Sequence, residues 1–464
     1  MSRAALVVAL AAGAGACAAE ARPALAGEAR APGQVPAQAP LTLTRALELA
    51  RQRAPALVAA RAQVRSAEAG AAEQRAAYLP SVAAIVSVTG SSVRDTEPAP
   101  PPIGRFTSVD HSASGSGTAS LRWTVYDFGR TGSAVDAASA GATAASARAA
   151  AADLDVAAAA ASAFVTLHHR QRLRDVAEAI VAQRERLAVI AKGLVRAALQ
   201  PPLEELRAAS RAEAARVLLA GAETDLEDAR AALASLLALD AAAPLAVAAP
   251  RLPQIDPAPV PTRAALVASD PAIAARSAEE LPSVAAARAD HDARLAAARA
   301  AAARYRPALA LSIDASYALA RHADFDVSLD TRQATGTLAV SVPILDLSIA
   351  PGVARARADA EAARAVADQA RRDAVTEASR AALAVRTTGA AVEHARRAAE
   401  VAATVLEVVQ ARYVRGLSSP LELIDAESAD ADARVAAVKA ELARDLAIVR
   451  AYAATGRKLV EINS

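Results

Sequence analysis

Cysteine and aromatic residues are the scarcest components of this 464-residue sequence, which holds one Cys, four Phe, six Tyr and one Trp. The lone cysteine, Cys17, excludes an internal disulfide framework and a multi-cysteine metal site. The scarcity of rings excludes a core of bulky aromatic side chains, although 54% of the residues are hydrophobic. Alanine and aliphatic residues must supply that apolar surface, which is typical of long, closely packed helices.

A surplus of one charge sign is also missing, because 52 basic and 50 acidic residues leave a net charge of +2. The chain therefore lacks the basic field of a nucleic-acid-binding protein, and we expect no nucleic-acid partner. The histidines are dispersed, and the adjacent side chains of His168 and His169 diverge on a helix, so we expect an interhelical or solvated role for them and no metal site. No catalytic constellation and no cofactor site is predicted, and we do not expect an enzyme.

The amino terminus predicts an export signal, because Arg3 precedes an unbroken apolar run over residues 4–16. Two interpretations of its end stay open. Either residues 1–26 are removed as a signal peptide, or a lipobox-like sequence is cleaved before Cys17, which then becomes a lipidated first residue. No later run of about 20 apolar residues predicts a transmembrane helix.

The sequence repeats an ordered set of motifs at about half its length. Pro55-Ala-Leu corresponds to Pro282-Ser-Val, and Tyr78-Leu79-Pro80 corresponds to Tyr305-Arg306-Pro307. We therefore predict a duplicated chain. Its segments are a flexible lead-in at 27–40, a first repeat at 41–243, a linker or equatorial segment at 244–262, a second repeat at 263–455 and a C-terminal tail at 456–464.

Each repeat contains two stretches of alternating polar and apolar residues, which predict β-strands. In the second repeat Leu311 and Ile313 lie on one face, and Ser312 and Asp314 lie on the other. The predicted strands span about residues 81–90, 118–127, 308–319 and 336–346, with a loop from Ser91 to Ser116. Runs of about 9–11 residues match a tilted membrane strand, which favours a transmembrane sheet over the alternative of a small soluble sheet with one half-buried face.

Long stretches with apolar residues at heptad spacing predict two antiparallel helical hairpins. The first pairs helices at 131–199 and 203–239, and the second pairs helices at 352–415 and 420–453. Four strands cannot close a barrel, because their edges would leave unpaired backbone groups in hydrocarbon. Three copies supply twelve strands and a hollow cylinder of helices. The predicted fold class is mainly α with a membrane β-barrel portion, assembled as a trimer.

Several motifs, in this order, resemble the TolC-like outer-membrane efflux proteins, which are the outer-membrane factors of tripartite efflux and type I secretion systems. They are Leu41-Thr-Leu-Thr-Arg-Ala-Leu-Glu-Leu-Ala, Tyr78-Leu79-Pro80, Tyr126-Asp127-Phe128-Gly129-Arg130 and Tyr413-Val-Arg-Gly416-Leu-Ser-Ser-Pro-Leu-Glu422-Leu-Ile-Asp425-Ala426. The resemblance implies a homotrimeric exit duct in the bacterial outer membrane that extends into the periplasm. It also implies three partners, namely outer-membrane lipid, a periplasmic adaptor (membrane fusion) protein and an inner-membrane pump of the RND, ABC or MFS type.

The candidate gate residues lie at the tip of the second hairpin. Glu422 and Asp425 are three residues apart and share a helix face, so three copies would ring a pore with acids. The resemblance places them at a constriction, whereas ordinary surface acids are the alternative. Tyr413 and Arg415 would link neighbouring helices, and Gly416 predicts a left-handed turn.

The predicted docking surface for the adaptor combines residues from both tips. They are Arg196, Ala197, Leu199, Gly416, Leu417 and Ser418. The sequence departs from the family pattern at Ser418, where some members have arginine, and at Ala197, where glycine is usual. A salt-bridge latch of the family's kind is therefore not expected.

Two other classes of protein stay open at this point. A periplasmic adaptor also has long helical hairpins, but it carries one hairpin flanked by small β-domains. A structural coiled-coil envelope protein would not need four strands with alternating faces. The sequence does not specify the transported cargo.

Overall fold

The computed structural model describes residues 40–98, 105–240, 245–250, 252, 281–322 and 327–456. The predicted export signal, Cys17 and all but the last residue of the lead-in lie outside the described residues. Most of the predicted linker at 244–262 and residues 457–464 of the predicted tail also lie outside them.

A similar order of helices and strands occurs twice along the chain. The first set is α1 (Leu43–Arg53), α2 (Pro55–Ala76), β1 (Ser81–Pro98), β2 (Arg105–Tyr126), α3 (Arg130–Arg196) and α4 (Pro202–Leu236). The second set is α5 (Pro282–Ala302), a 3₁₀ turn (Ala303–Tyr305), β3 (Ala308–His322), β4 (Val327–Ser341), α6 (Ile349–Val414) and α7 (Pro420–Ala454). Two strands followed by two long helices are thus the common unit.

The strands form one antiparallel sheet in the order β1-β2-β3-β4. Its register places Leu121 of β2 opposite Ile313 of β3, and Arg122 opposite Ser312. Because side chains alternate along a strand, Leu121 and Ile313 lie on one face of the sheet, and Arg122 and Ser312 lie on the other. The register confirms the two faces predicted from the sequence.

The strands extend well beyond their predicted ends. β1 continues to Pro98 and β2 begins at Arg105, so the predicted loop from Ser91 to Ser116 is wrong over most of its length. Residues in this region have no apolar pattern, yet they pair regularly, with Ser91 opposite Ser112 and Pro98 opposite Arg105. Backbone hydrogen bonds between the two strands hold this region together, and sequence periodicity does not report that pairing.

The last strand, β4, begins earlier than predicted, at Val327, and also ends earlier, at Ser341. Pro343 follows and has no N–H to donate, so the ladder of hydrogen bonds cannot continue towards the predicted end at residue 346. The chain then enters α6, where the carboxylate of Asp346 accepts a hydrogen bond from the backbone N–H of Ser348, at 2.9 Å.

An equivalent aspartate begins α3. The carboxylate of Asp127 accepts hydrogen bonds from the backbone N–H groups of Gly129, at 3.1 Å, and Thr131, at 2.6 Å. These bonds satisfy donors that have no partner in the first turn of a helix. An aspartate therefore fixes the change from strand to long helix in both halves.

The long helices form two antiparallel hairpins, α3 with α4 and α6 with α7, and α7 also packs on α3. α3 has 67 residues, which corresponds to about 100 Å of helix. Pro202 and Pro420 occupy the first turns of α4 and α7, where the missing N–H has no cost and the fixed φ angle suits a helix.

One segment of α3 is apolar enough by length and composition to cross a membrane, although the sequence predicted no such segment after the export signal. The scarcity of charge there has a packing role, because Phe164, Val165 and Leu167 are fully buried in the largest core cluster of the described chain. Ala160 and Ala161 are buried beside them, and their small side chains allow neighbouring helices to approach closely.

Candidate functional site at the hairpin tips

Each of the two hairpins has the same type of backbone turn at its tip. The N–H of Leu199 donates to the carbonyl of Leu194 at 2.9 Å, and the N–H of Leu417 donates to the carbonyl of Arg412 at 2.9 Å. Each bond is the six-to-one hydrogen bond of a Schellman motif. It satisfies one of the carbonyl groups that a helix end leaves without a partner.

The Schellman turn requires one residue in the left-handed conformation. That residue is Gly416 in the second tip, with φ of 73°, and Ala198 in the first, with φ of 55°. Ala197 has φ of −77°. The expectation that Ala197 replaces the turn glycine is therefore wrong by one residue, because α3 ends at Arg196 and the turn follows one position later than the aligned sequences suggest.

Two serines organise the start of α7. The Ser419 hydroxyl oxygen accepts a hydrogen bond from the N–H of Glu422 at 3.2 Å and caps the helix. The Ser418 hydroxyl donates to the Glu422 carboxylate. This second bond is the main reason that the pKa of Glu422 lies below its ordinary value, so the carboxylate is ionised at neutral pH.

The other two charged gate candidates, Asp425 and Arg415, are exposed, as is Glu422. Within the described part of the chain, none of these three side chains forms an ion pair. The side chains of Glu422 and Asp425, on the first two turns of α7, are therefore exposed to solvent.

Tyr413 lies in a different environment from the other gate candidates. It is 5% exposed and packs with Leu187 and Leu194 of α3 and with Leu423 of α7. Burial, reinforced by the negative charge of Glu204, raises the pKa of its hydroxyl. Tyr413 thus joins the second hairpin to the first inside one chain.

The six predicted docking residues lie at the ends of the two hairpins. Five of them are exposed, and Ser418 is half-buried. Leu199 is 70% exposed and Leu417 is 64% exposed. An apolar side chain at the end of each hairpin is a surface suited to a protein partner.

Sequence reasoning missed a row of buried acids along α7. They are Glu427, Asp430, Glu441 and Asp445. Their spacing by three, eleven and four residues keeps them on one helix face, which was the available signal. They escaped notice because a search for apolar periodicity treats an acid as a surface residue.

Two of these acids connect helices. Glu441 accepts hydrogen bonds from Arg396 of α6, at 2.8 Å, and from Arg172 of α3. Burial alone raises the pKa of Glu441, but the bonds from Arg172 and Arg396 outweigh that effect and hold the pKa below its ordinary value. The same balance lowers the pKa of Asp445, whose hydrogen-bond donors are His169 and Arg444.

Across the described ranges, no group of three or more His, Cys, Asp or Glu side chains is placed to hold a metal ion. The site is therefore an arrangement of charged and apolar surfaces at two helical tips.

The family model described as outer membrane efflux protein matches this chain twice, over residues 46–239 and 274–457. Three solved structures share the fold. The outer-membrane channel OprN is 23% identical, with 90% of each chain covered and a TM-score of 0.71. The Campylobacter jejuni CmeC outer membrane channel is 17% identical, with 91% of this chain and 87% of that chain covered and a TM-score of 0.74.

The outer membrane protein VceC from Vibrio cholerae is 19% identical, with 89% of this chain and 96% of that chain covered and a TM-score of 0.71. A comparison with curated protein sequences gives no match.

Proposed function

Because the chain belongs to the outer membrane efflux protein family, we propose that three copies close a twelve-stranded barrel around a water-filled bore. The protein is a channel subunit of the bacterial outer membrane that reaches into the periplasm, and it is not an enzyme. Family membership favours this function over the two alternatives, an adaptor and a structural coiled coil.

The open sheet is the observation that carries trimeric closure. β1 and β4 are the terminal strands, and no described strand pairs with the outer edge of either one. An unpaired edge in hydrocarbon costs several kcal/mol for each orphaned backbone group. Pairing β4 of one copy with β1 of the next removes every such edge when the ring closes.

The two faces of the sheet then meet different solvents. The row that holds Leu121 and Ile313 contacts lipid, and the row that holds Arg122 and Ser312 lines the bore. Outer-membrane lipid is therefore a partner of the assembled barrel.

The constriction lies at the ring of acids formed by Glu422 and Asp425. Three copies bring six carboxylates together, and such a ring favours cations. Ser418 keeps Glu422 ionised, and the exposed Arg415 is available to a neighbouring copy. Tyr413 acts from the interior, because it fixes α6 against α3.

The adaptor docks on the six exposed or half-buried tip residues identified above. The leucines Leu199 and Leu417 supply apolar contact, and Arg196 supplies charge. An inner-membrane pump of the RND, ABC or MFS type completes the system and provides the energy.

The segment layout predicted from the sequence belongs to the same proposal, with repeats at 41–243 and 263–455, the segment 244–262 between them and a short tail. Residues 1–26 are a removed signal, or Cys17 carries a lipid anchor. The mass of the mature amino terminus distinguishes these two outcomes.

Bilayer recordings test the channel itself. We expect heat-modifiable, detergent-dependent trimers that conduct ions and prefer cations. The double variant Glu422→Gln, Asp425→Asn should lose that preference. Asp432→Asn, an exposed acid further along α7, is the matched control and should keep it. A folded monomer that stays soluble without detergent contradicts the proposal.

Cross-linking tests the docking surface. Single cysteines at Ala198 and Leu417 should form adducts with the co-expressed adaptor. A cysteine at Ala398, which is exposed on α6 several turns before the tip, should not. If neither tip position forms adducts when the adaptor is present, the tips are not the docking surface.

A further inference from the structure

Glu427 differs from the other buried acids of α7. Asp430 pairs with Arg434 at 2.9 Å, and Glu441 and Asp445 have the partners described above. By contrast, no residue in the described chain donates a hydrogen bond to Glu427 or forms an ion pair with it. A buried carboxylate without a partner is unfavourable in its charged form.

The surroundings of Glu427 explain why it stays without a partner. It lines a cavity of about 20 Å³ between the two hairpins, enough for a single water molecule. Arg184 of α3 and Arg211 of α4 also line this cavity, but Arg184 donates to the backbone carbonyl of Arg211 at 3.4 Å. Burial raises the pKa of Glu427, and the positive charges of Arg211 and Arg184 offset only part of that effect.

We propose that Glu427 is a proton-sensitive residue of the gate, and that its protonation holds the second hairpin closed against the first. This inference rests on the proposed channel function. Tyr413, one of the α6 residues that pack against α3, also lines the cavity. A change in the charge of Glu427 therefore acts directly on the packing that keeps the two hairpins together.

The direction of the effect follows from solvation. When the two hairpins are packed together, Glu427 binds a proton more readily than a glutamate in water, whose ordinary pKa is 4.5. If α7 moves away from α3 and α4, water reaches the carboxylate and its pKa falls back towards that value. The closed state binds more protons, so lowering the pH towards 4.5 favours closure and raising the pH favours opening. The equilibrium constant for opening changes by up to about tenfold per pH unit for each protomer.

The other groups that face the cavity do not provide this response. Arg184 and Arg211 contribute positive charge, which lowers the pKa of Glu427. Glu204 of α4 is paired with Arg207 at 2.8 Å. The pKa of Tyr413 is raised, so its hydroxyl stays neutral.

The test records the trimer in planar bilayers between pH 5 and pH 8. For wild type we expect the open probability to rise with pH. Glu427→Gln, which is neutral and of the same shape, should stay closed at neutral pH and lose the pH response. Asp432→Asn, an exposed acid on the same helix, should respond like wild type.

A second measurement does not depend on the Gln variant assembling. A cysteine at Ala208, which lines the cavity, should react with a water-soluble maleimide faster as pH rises, relative to a cysteine at the exposed Ala209. That ratio corrects for ionisation of the thiol. A ratio that is independent of pH, or a Glu427→Gln channel with the wild-type pH response, overturns the role of Glu427. Absence of any conductance in wild type contradicts the channel function instead.

Discussion

The imidazole Nε2 of His169 in α3 lies 2.9 Å from the carboxylate Oδ2 of Asp445 in α7, and both side chains are buried. The pair joins the first hairpin to the second away from the tips. Arg444 donates to the other carboxylate oxygen at 2.8 Å. The interhelical role was one of the two expected for this histidine pair.

Removing the imidazole of His169 should weaken the packing between the two hairpins. His169→Ala leaves Asp445 buried with Arg444 as its donor, so we expect a loss of about 2–3 kcal/mol in unfolding free energy. His168→Ala is the control, because His168 is half-buried, and its effect should be smaller. Thermal unfolding of the detergent-solubilised protein measures both, and equal losses would contradict the assignment.

The paired acids should make the helical region sensitive to strong acid. The pKa values of Glu441 and Asp445 are lowered in the folded state, so their stabilisation is complete above the ordinary values of 4.5 and 3.8 and is lost as pH falls below them. We expect the melting temperature to fall when the pH is lowered below about 4.5. Glu441→Gln should have a lower melting temperature at neutral pH and a flatter decline in acid. An unchanged acid decline would show that Glu441 does not contribute to it.

The two tip turns should respond in opposite ways to exchange of alanine and glycine. Ala198→Gly relieves a left-handed alanine and should stabilise the protein by about 0.5–1 kcal/mol. Gly416→Ala should destabilise it by about 1 kcal/mol through backbone strain alone, because no atom lies within 4 Å of the added methyl group. Chemical denaturation measures both changes, and the same sign for both would refute this interpretation of the turns.

Ser418 should set the pH below which the channel loses its preference for cations. Its hydroxyl donates to Glu422 and lowers the pKa of that carboxyl, so Ser418→Ala should move the pKa back up towards 4.5. Cation preference should then disappear at a higher pH than in wild type. Reversal potentials recorded in acidic solutions measure the midpoint. Ser428→Ala, an exposed serine on α7, is the control and should leave that midpoint unchanged.

The sequence predicted those features that depend on local pattern. Heptad spacing located the helical hairpins, and Pro202 and Pro420 mark where their second helices begin. Alternation assigned Leu311 and Ile313 to one face of β3. These signals are local because each residue's neighbours along the chain determine them.

Features that depend on distant partners escaped prediction. The extended ends of β1 and β2 consist of polar residues that pair with each other, and only the partner strand reveals this. The left-handed residue at Ala198 depends on where α3 stops. Glu427 is indistinguishable from a surface acid until α3 and α4 are seen to cover it.

The unpaired outer edges of β1 and β4 have a genetic consequence. If a ring of three is the smallest unit without an exposed edge, then one subunit with a defective edge strand inactivates the whole trimer, including its two intact subunits. A cell that makes equal amounts of sound and edge-damaged polypeptide should therefore retain only about one intact ring in eight, if copies mix at random. Such alleles should behave as dominant.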